Sequence, residues 1–127
     1  MSYYFNKTLN VNFDEAIEKV TAELQKEGFG ILTEIDVRAT LKNKLDVDFH
    51  PYKILGACNP QFAYQALQAE DKIGTMLPCN VIVHDTGSGV EIAAVDPMAS
   101  MMAVDNPKLA DVADQVQALL KKVIERV

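Results

Sequence analysis

The chain has 127 residues, of which 49% are apolar and 24% charged, and its formal net charge is −6. This is the length and composition of one globular domain that can bury enough surface to fold without metal or disulfide. Collagen, coiled coil and disordered tail are excluded, as is a membrane-spanning helix, because no apolar run of ~20 residues exists.

The charge is unevenly spread. Between Ile73 and Leu120 the one base, Lys108, faces Asp85, Glu91, Asp96, Asp105, Asp111 and Asp114. Such a surface repels phosphate, whereas nucleic-acid binding needs the opposite field. Lys42, Lys44 and Lys53 are interleaved with Asp46 and Asp48, as on a mixed solvated face. Neither nucleic acid nor membrane is expected as a partner. The opening Met-Ser-Tyr-Tyr-Phe-Asn-Lys shows no signal peptide, and two cysteines make no disulfide framework, so a cytoplasmic location with reduced thiols is expected.

Tyr3 to Val11 is rich in aromatic and β-branched types and predicts a strand. Asn12-Phe-Asp-Glu15 is a capping box, and Phe13, Ile17, Val20 and Leu24 then recur along one helical face that Gly28 closes. Gly30 to Asp36 predicts a second strand. Asp36 caps a short helix carrying Val37, Leu41 and Leu45 four apart. Phe49 to Cys58 predicts a third strand, with Tyr52, Ile54, Gly56 and Cys58 on one face and Lys53, Leu55 and Ala57 on the other. Asn59-Pro60 opens a helix with Phe62, Ala63, Ala66 and Leu67 as its apolar stripe, expected to run to Gly74. Cys79 to Asp85 and Val90 to Val95 flank Thr-Gly-Ser-Gly and read as a hairpin. A Met-rich turn from Met98 to Val104 follows. Asn106-Pro107 caps a last helix bearing Leu109, Val112, Val116, Leu119, Val123 and Val127. Together these elements predict an α+β fold of one domain, residues 1–127: a mainly antiparallel sheet of about five strands with helices packed on one face.

The candidate site lies at one end of that sheet. Cys58 ends a predicted strand and Cys79 begins another; if the two run antiparallel, Cys58-Asn59 and Cys79-Asn80 meet at one edge. Asp96 ends the return strand of the hairpin and should lie near Cys79. Cys58, Asn59, Cys79, Asn80 and Asp96 are therefore the candidate ligand-binding residues. Three readings compete for them. The thiols can be small buried hydrophobes, with the asparagines binding backbone. Cys58, before a helix N-terminus, can be a reactive thiol. Cys58 and Cys79, with Met98, Met101 or Met102, can suit a soft ion, although no Cys-x-x-Cys or His-rich spacing supports a metal. His50 and His84 form no metal or catalytic motif; His84 shares the register of Asn80 and Ile82, toward the solvated or subunit-facing end of the hairpin. Asp-Thr-Gly-Ser-Gly is not a phosphate loop, since it lacks the Lys and joins two strands. No catalytic residues, metal site or cofactor are assigned.

Cys58-Asn59-Pro60, Leu77-Pro78-Cys79-Asn80-Val81 and Val95-Asp96-Pro97, in that order, resemble the domain-of-unknown-function 302 family. The resemblance implies a small prokaryotic fold similar to that of the TATA-box-binding protein, a curved antiparallel sheet with helices on one face, and a homodimer. It implies no activity. The leading expectation is a non-enzymatic binding or accessory module, a homodimer taking a small anionic or soft ligand. The alternatives are a thiol-based redox or sulfur-carrier protein using Cys58 with Cys79, and a purely structural assembly unit.

Overall fold

Alternation of side chains along the central strands decides which face of the sheet meets the helices. In a computed structural model, which describes residues 2–127, strands β1 (Tyr4–Leu9), β2 (Gly30–Asp36), β3 (Tyr52–Cys58), β4 (Cys79–Asp85) and β5 (Val90–Val95) form one sheet. Helices α1 (Phe13–Lys26), α2 (Val37–Leu45), α3 (Pro60–Ala69), α4 (Pro97–Ser100) and α5 (Pro107–Arg126) alternate with them, and a 3-10 helix spans Asp71–Met76. The spatial order is β1-β5-β4-β3-β2 and every neighbouring pair is antiparallel. The fold is α+β, as the order of elements predicts.

Leu55, Val81, Ala94 and Phe5 stand opposite one another across four strands. Val83 and Ile92 pair in the next row toward one end and Ala57 and Cys79 toward the other. All but the partly buried Phe5 are buried, and they face Val20 and Leu24 of α1 and Val116, Leu120 and Val123 of α5 in one core cluster. This is the hydrophobic face that an antiparallel sheet must cover.

Local chemistry sets the boundaries. Asn12 Oδ1 accepts from the Glu15 backbone N–H at 2.8 Å, and Gly28 takes φ +87° after α1, so the predicted start and stop are both used. Asp36 caps α2 through the Ala39 N–H at 2.9 Å. The third helix is shorter than its apolar stripe predicts. Glu70 turns to an extended φ of −149°, α3 ends at Ala69, and the remaining residues form the separate 3-10 turn in which only Ile73 is buried. Asn106 ties this region down, donating through Nδ2 to the Ala69 carbonyl at 2.8 Å while its Oδ1 caps α5 at the Lys108 N–H. The Met-rich turn contains the short helix α4, started by Asp96 and Pro97.

Truncating Leu55 to Ala should lower the unfolding free energy by about 2–5 kcal/mol in urea denaturation, because this side chain, 1% exposed, has helices on its far side and no room to relax. Leu32→Ala, at a side chain 68% exposed, should change it by less than about 0.5 kcal/mol.

Candidate functional site

The two cysteines do meet. Ala57 pairs with Cys79 in the β3–β4 ladder, Cys58 is one residue beyond that pair, and both cysteines border one cavity. Phe29, Phe62, Pro97 and Val116 close its other walls. The cavity measures about 30 Å³. That is room for about one water molecule, within an almost wholly apolar lining that offers few polar partners. Cys79 is 9% exposed, and burial, reinforced by the neighbouring Cys58, pushes its thiol up to about 11. At neutral pH that sulfur is a protonated hydrophobe rather than a nucleophile.

Asn59 has a different task from the cap expected of it. It makes no side-chain cap on α3. Its Nδ2 donates instead to the Glu27 carbonyl at 3.2 Å, tying the start of α3 to the end of α1. Asp96 reaches the same end of the sheet, where its backbone N–H donates to the Tyr3 carbonyl at 2.8 Å. Its Oδ1 accepts from the Met98 N–H and from Gln117 Nε2, both at 3.0 Å, so the carboxylate holds α4 to α5. Asn80 is the clearest departure from a five-residue pocket. It follows the inward-facing Cys79, so its exposed side chain belongs to the opposite face of the sheet. Cys58, Asn59 and Cys79 thus share the small cavity, while Asn80 and Asp96 do not line it.

The face on which Asn80 stands has a wider concavity than the cysteine cavity, and no helix residue lines it. Its rows run Gly56–Asn80, Ile54–Ile82–Ala93–Asn6 and Tyr52–His84–Glu91–Thr8. Gly56 is required here: a Cβ would collide with the Thr33 hydroxyl and sit 2.8 Å from the Pro78 ring. The concavity is about 410 Å³ and is lined by Tyr3, Tyr4, Tyr52, Asn80, Ile82 and Glu91 among others. A mostly apolar and aromatic hollow of this size with a few polar groups is the usual form of a small-molecule site.

A chain of hydrogen bonds runs along one end of this face. Asn6 Nδ2 donates to Glu91 Oε2 at 2.7 Å, His84 Nε2 lies 2.7 Å from Glu91 Oε1, and His50 Nε2 lies 3.1 Å from His84 Nδ1. With both imidazoles neutral, His84 donates to Glu91 and accepts from His50; the carboxylate fixes the tautomer. The bonds from Asn6 and then His84 hold the Glu91 carboxyl below its ordinary value of 4.5. His50 and Tyr52 flank His84 with ring centroids 5.3 and 5.1 Å from it. The sequence-based candidates omit this cluster because it matches no linear motif. One signal for it was present: the hairpin whose strands end at Asp85 and begin at Val90 puts His84 opposite Glu91 by register alone. Among the described residues no three His, Cys, Asp or Glu side chains converge as a metal site, and no helix is long and apolar enough to cross a membrane.

A family model described as a domain of unknown function, DUF302, matches residues 5–127. The chain belongs to the DUF302 family. The crystal structure of an uncharacterized conserved DUF302 protein from Bacillus stearothermophilus superposes on it with a TM-score of 0.92, at 28% identity, over 99% of this chain and 98% of that one. No protein of curated function matches the sequence. The family match and the shared fold bear out the resemblance carried by the Cys-Asn-Pro, Leu-Pro-Cys-Asn-Val and Val-Asp-Pro segments.

Two measurements check these environments. Iodoacetamide at pH 8, followed by peptide mass spectrometry, should label Cys58 well before Cys79. Because the Cys79 thiol is raised in the fold, its contribution to stability is complete below its ordinary value of 9.0 and is lost as pH rises toward about 11. Glu91 has the opposite sign. Its depressed carboxyl stabilises the fold above the ordinary 4.5, and that stabilisation disappears as pH falls through the lower folded value. Glu91→Gln should therefore be destabilising at pH 7 and progressively less so as pH falls below 4.5 in parallel urea titrations.

Proposed function

We propose that this DUF302 chain is a non-enzymatic small-ligand-binding or accessory module of the cytoplasm, working as a homodimer, with its ligand on the sheet face that carries Asn80. The observation that carries this reading is the concavity of about 410 Å³ bounded by Tyr4, Tyr52, Asn80, Ile82 and Glu91. It is more than ten times the volume of the cavity beside the cysteines, at about 30 Å³. Asn80 keeps its candidate role here, as an exposed amide in the groove. Cys58, Asn59, Cys79 and Asp96 act from behind the sheet, keeping β3, β4 and the flanking helices in register.

Support for self-association comes from the β2 side of the molecule. No residue of α2 is buried, although Val37, Leu41 and Leu45 repeat along one side of it. Leu45 is 66% exposed, and Leu32 and Ile35 of the adjoining edge strand are 68% and 48% exposed. Exposed Leu45 on the helix together with exposed Leu32 and Ile35 on an open sheet edge suits a second copy of the chain.

Sedimentation velocity at micromolar concentration should give a dimer, and Leu45→Glu should give a folded monomer; a wild-type monomer would overturn the dimer. A thermal-shift screen of metabolites should find compounds that raise Tm and move the amide resonances of Asn80, Ile82 and Ala93. Hits that move only resonances around Cys58 and Phe62 would place the ligand behind the sheet and overturn the groove reading.

A further inference from the structure

We infer that the groove on the open sheet face selects small organic cations, namely quaternary or alkylated ammonium groups carried on a compact apolar body. The inference rests on the groove reading above and gives that site its ligand class. Three observations carry it.

The first is the lining. Tyr3, Tyr4 and Tyr52 contribute three aromatic rings, and among the described residues neither lysine nor arginine borders the hollow. Tyr3 and Tyr4 pack edge to face with centroids 5.0 Å apart and remain 69% and 39% exposed. Exposed tyrosine faces attract a cation through the ring quadrupole, and quaternary ammonium is the group that such surfaces commonly take. The second is the charge. Among the described residues Glu91 is the one acid bordering the groove. Hydrogen bonds from Asn6 and His84 favour its ionised form. An anion would have to approach this carboxylate with no basic side chain to offset the repulsion. The third is scale: the formal net charge of −6 attracts cations toward the whole molecule. The chemistry expected at the cysteine edge, an anionic or soft ligand, is therefore unlike the chemistry that this groove favours.

The titratable groups facing Glu91 are His84 directly and His50 through it. Binding is tested at pH 8. The probes are choline, benzyltrimethylammonium, and 3,3-dimethylbutan-1-ol, the uncharged carbon analogue of choline, with phenylacetate as the anionic control. Titrations are followed by amide chemical shifts on the intact chain. The two cations should saturate, at least tenfold more tightly than the alcohol, and shift Asn80, Ile82 and Ala93. Glu91→Gln and Tyr4→Ala should each weaken the cations by fivefold or more while leaving binding of the alcohol within twofold. Tyr4 is exposed enough for its variant to fold even if Glu91→Gln does not. Equal affinity for choline and the alcohol, or tighter binding of phenylacetate, at the same resonances would overturn the cation class and leave the groove standing. Absence of shifts with all four probes would overturn the cation inference, and the metabolite screen above then decides the groove by itself.

Discussion

The central strand β4 is the constraint from which the rest of this structure follows. It is hydrogen-bonded on both sides, to β3 and β5, and its residues alternate strictly between two environments. Cys79, Val81 and Val83 go into the core; Asn80, Ile82 and His84 go to the opposite face. A slip of one residue would exchange the two sets, burying an amide and an imidazole and exposing the apolar row. The cost of that exchange locks the register of the three middle strands, and the register in turn brings Ala57 to Cys79 and Glu91 to His84.

The two faces then divide the work. Behind the sheet, polar side chains serve the framework: Asn59 bonds α3 to the end of α1, Asp96 bonds α4 to α5, and Asn106 bonds the end of α3 to the start of α5. Each of these bonds satisfies a backbone or side-chain group near a helix end, where the regular ladder supplies no partner. The thiols lie in the same region and behave as small apolar groups around a space too small for a metabolite. In front of the sheet, polar groups are arranged differently. Asn6, Glu91, His84 and His50 bond to one another in sequence and leave their outer edges toward solvent.

The short, conspicuous dipeptides thus mark where the chain turns, and the less conspicuous residues in mid-strand line the hollow on the other face. Cys58-Asn59-Pro60 and Asp96-Pro97 both sit where a strand hands over to a helix. Proline at the first helical position and a side chain able to bond backbone are what such a junction needs. Their prominence in the sequence is accounted for by folding.

Much was decided by the sequence alone. Strands β2, β4 and β5 and helix α2 have the limits that turn residues and caps dictate, because a cap or a glycine acts on its immediate neighbours. The inward set Leu55 and Ala57 was legible from period-two alternation, and the pairing of His84 with Glu91 was implied by the hairpin length. Tertiary structure decided what depends on distant segments. It placed β1 beside β5 and β2 beside β3 at the sheet edges. It ended α3 at Ala69, where Glu70 turns extended and Asn106 takes up the exposed carbonyl. It brought His50 to His84 and Asn6 to Glu91 across gaps of 34 and 85 residues, which no local spacing records. It also separated Asn80 from Cys79 by the thickness of the sheet, since neighbours along a strand point in opposite directions and only the packing of helices decides which direction is the interior.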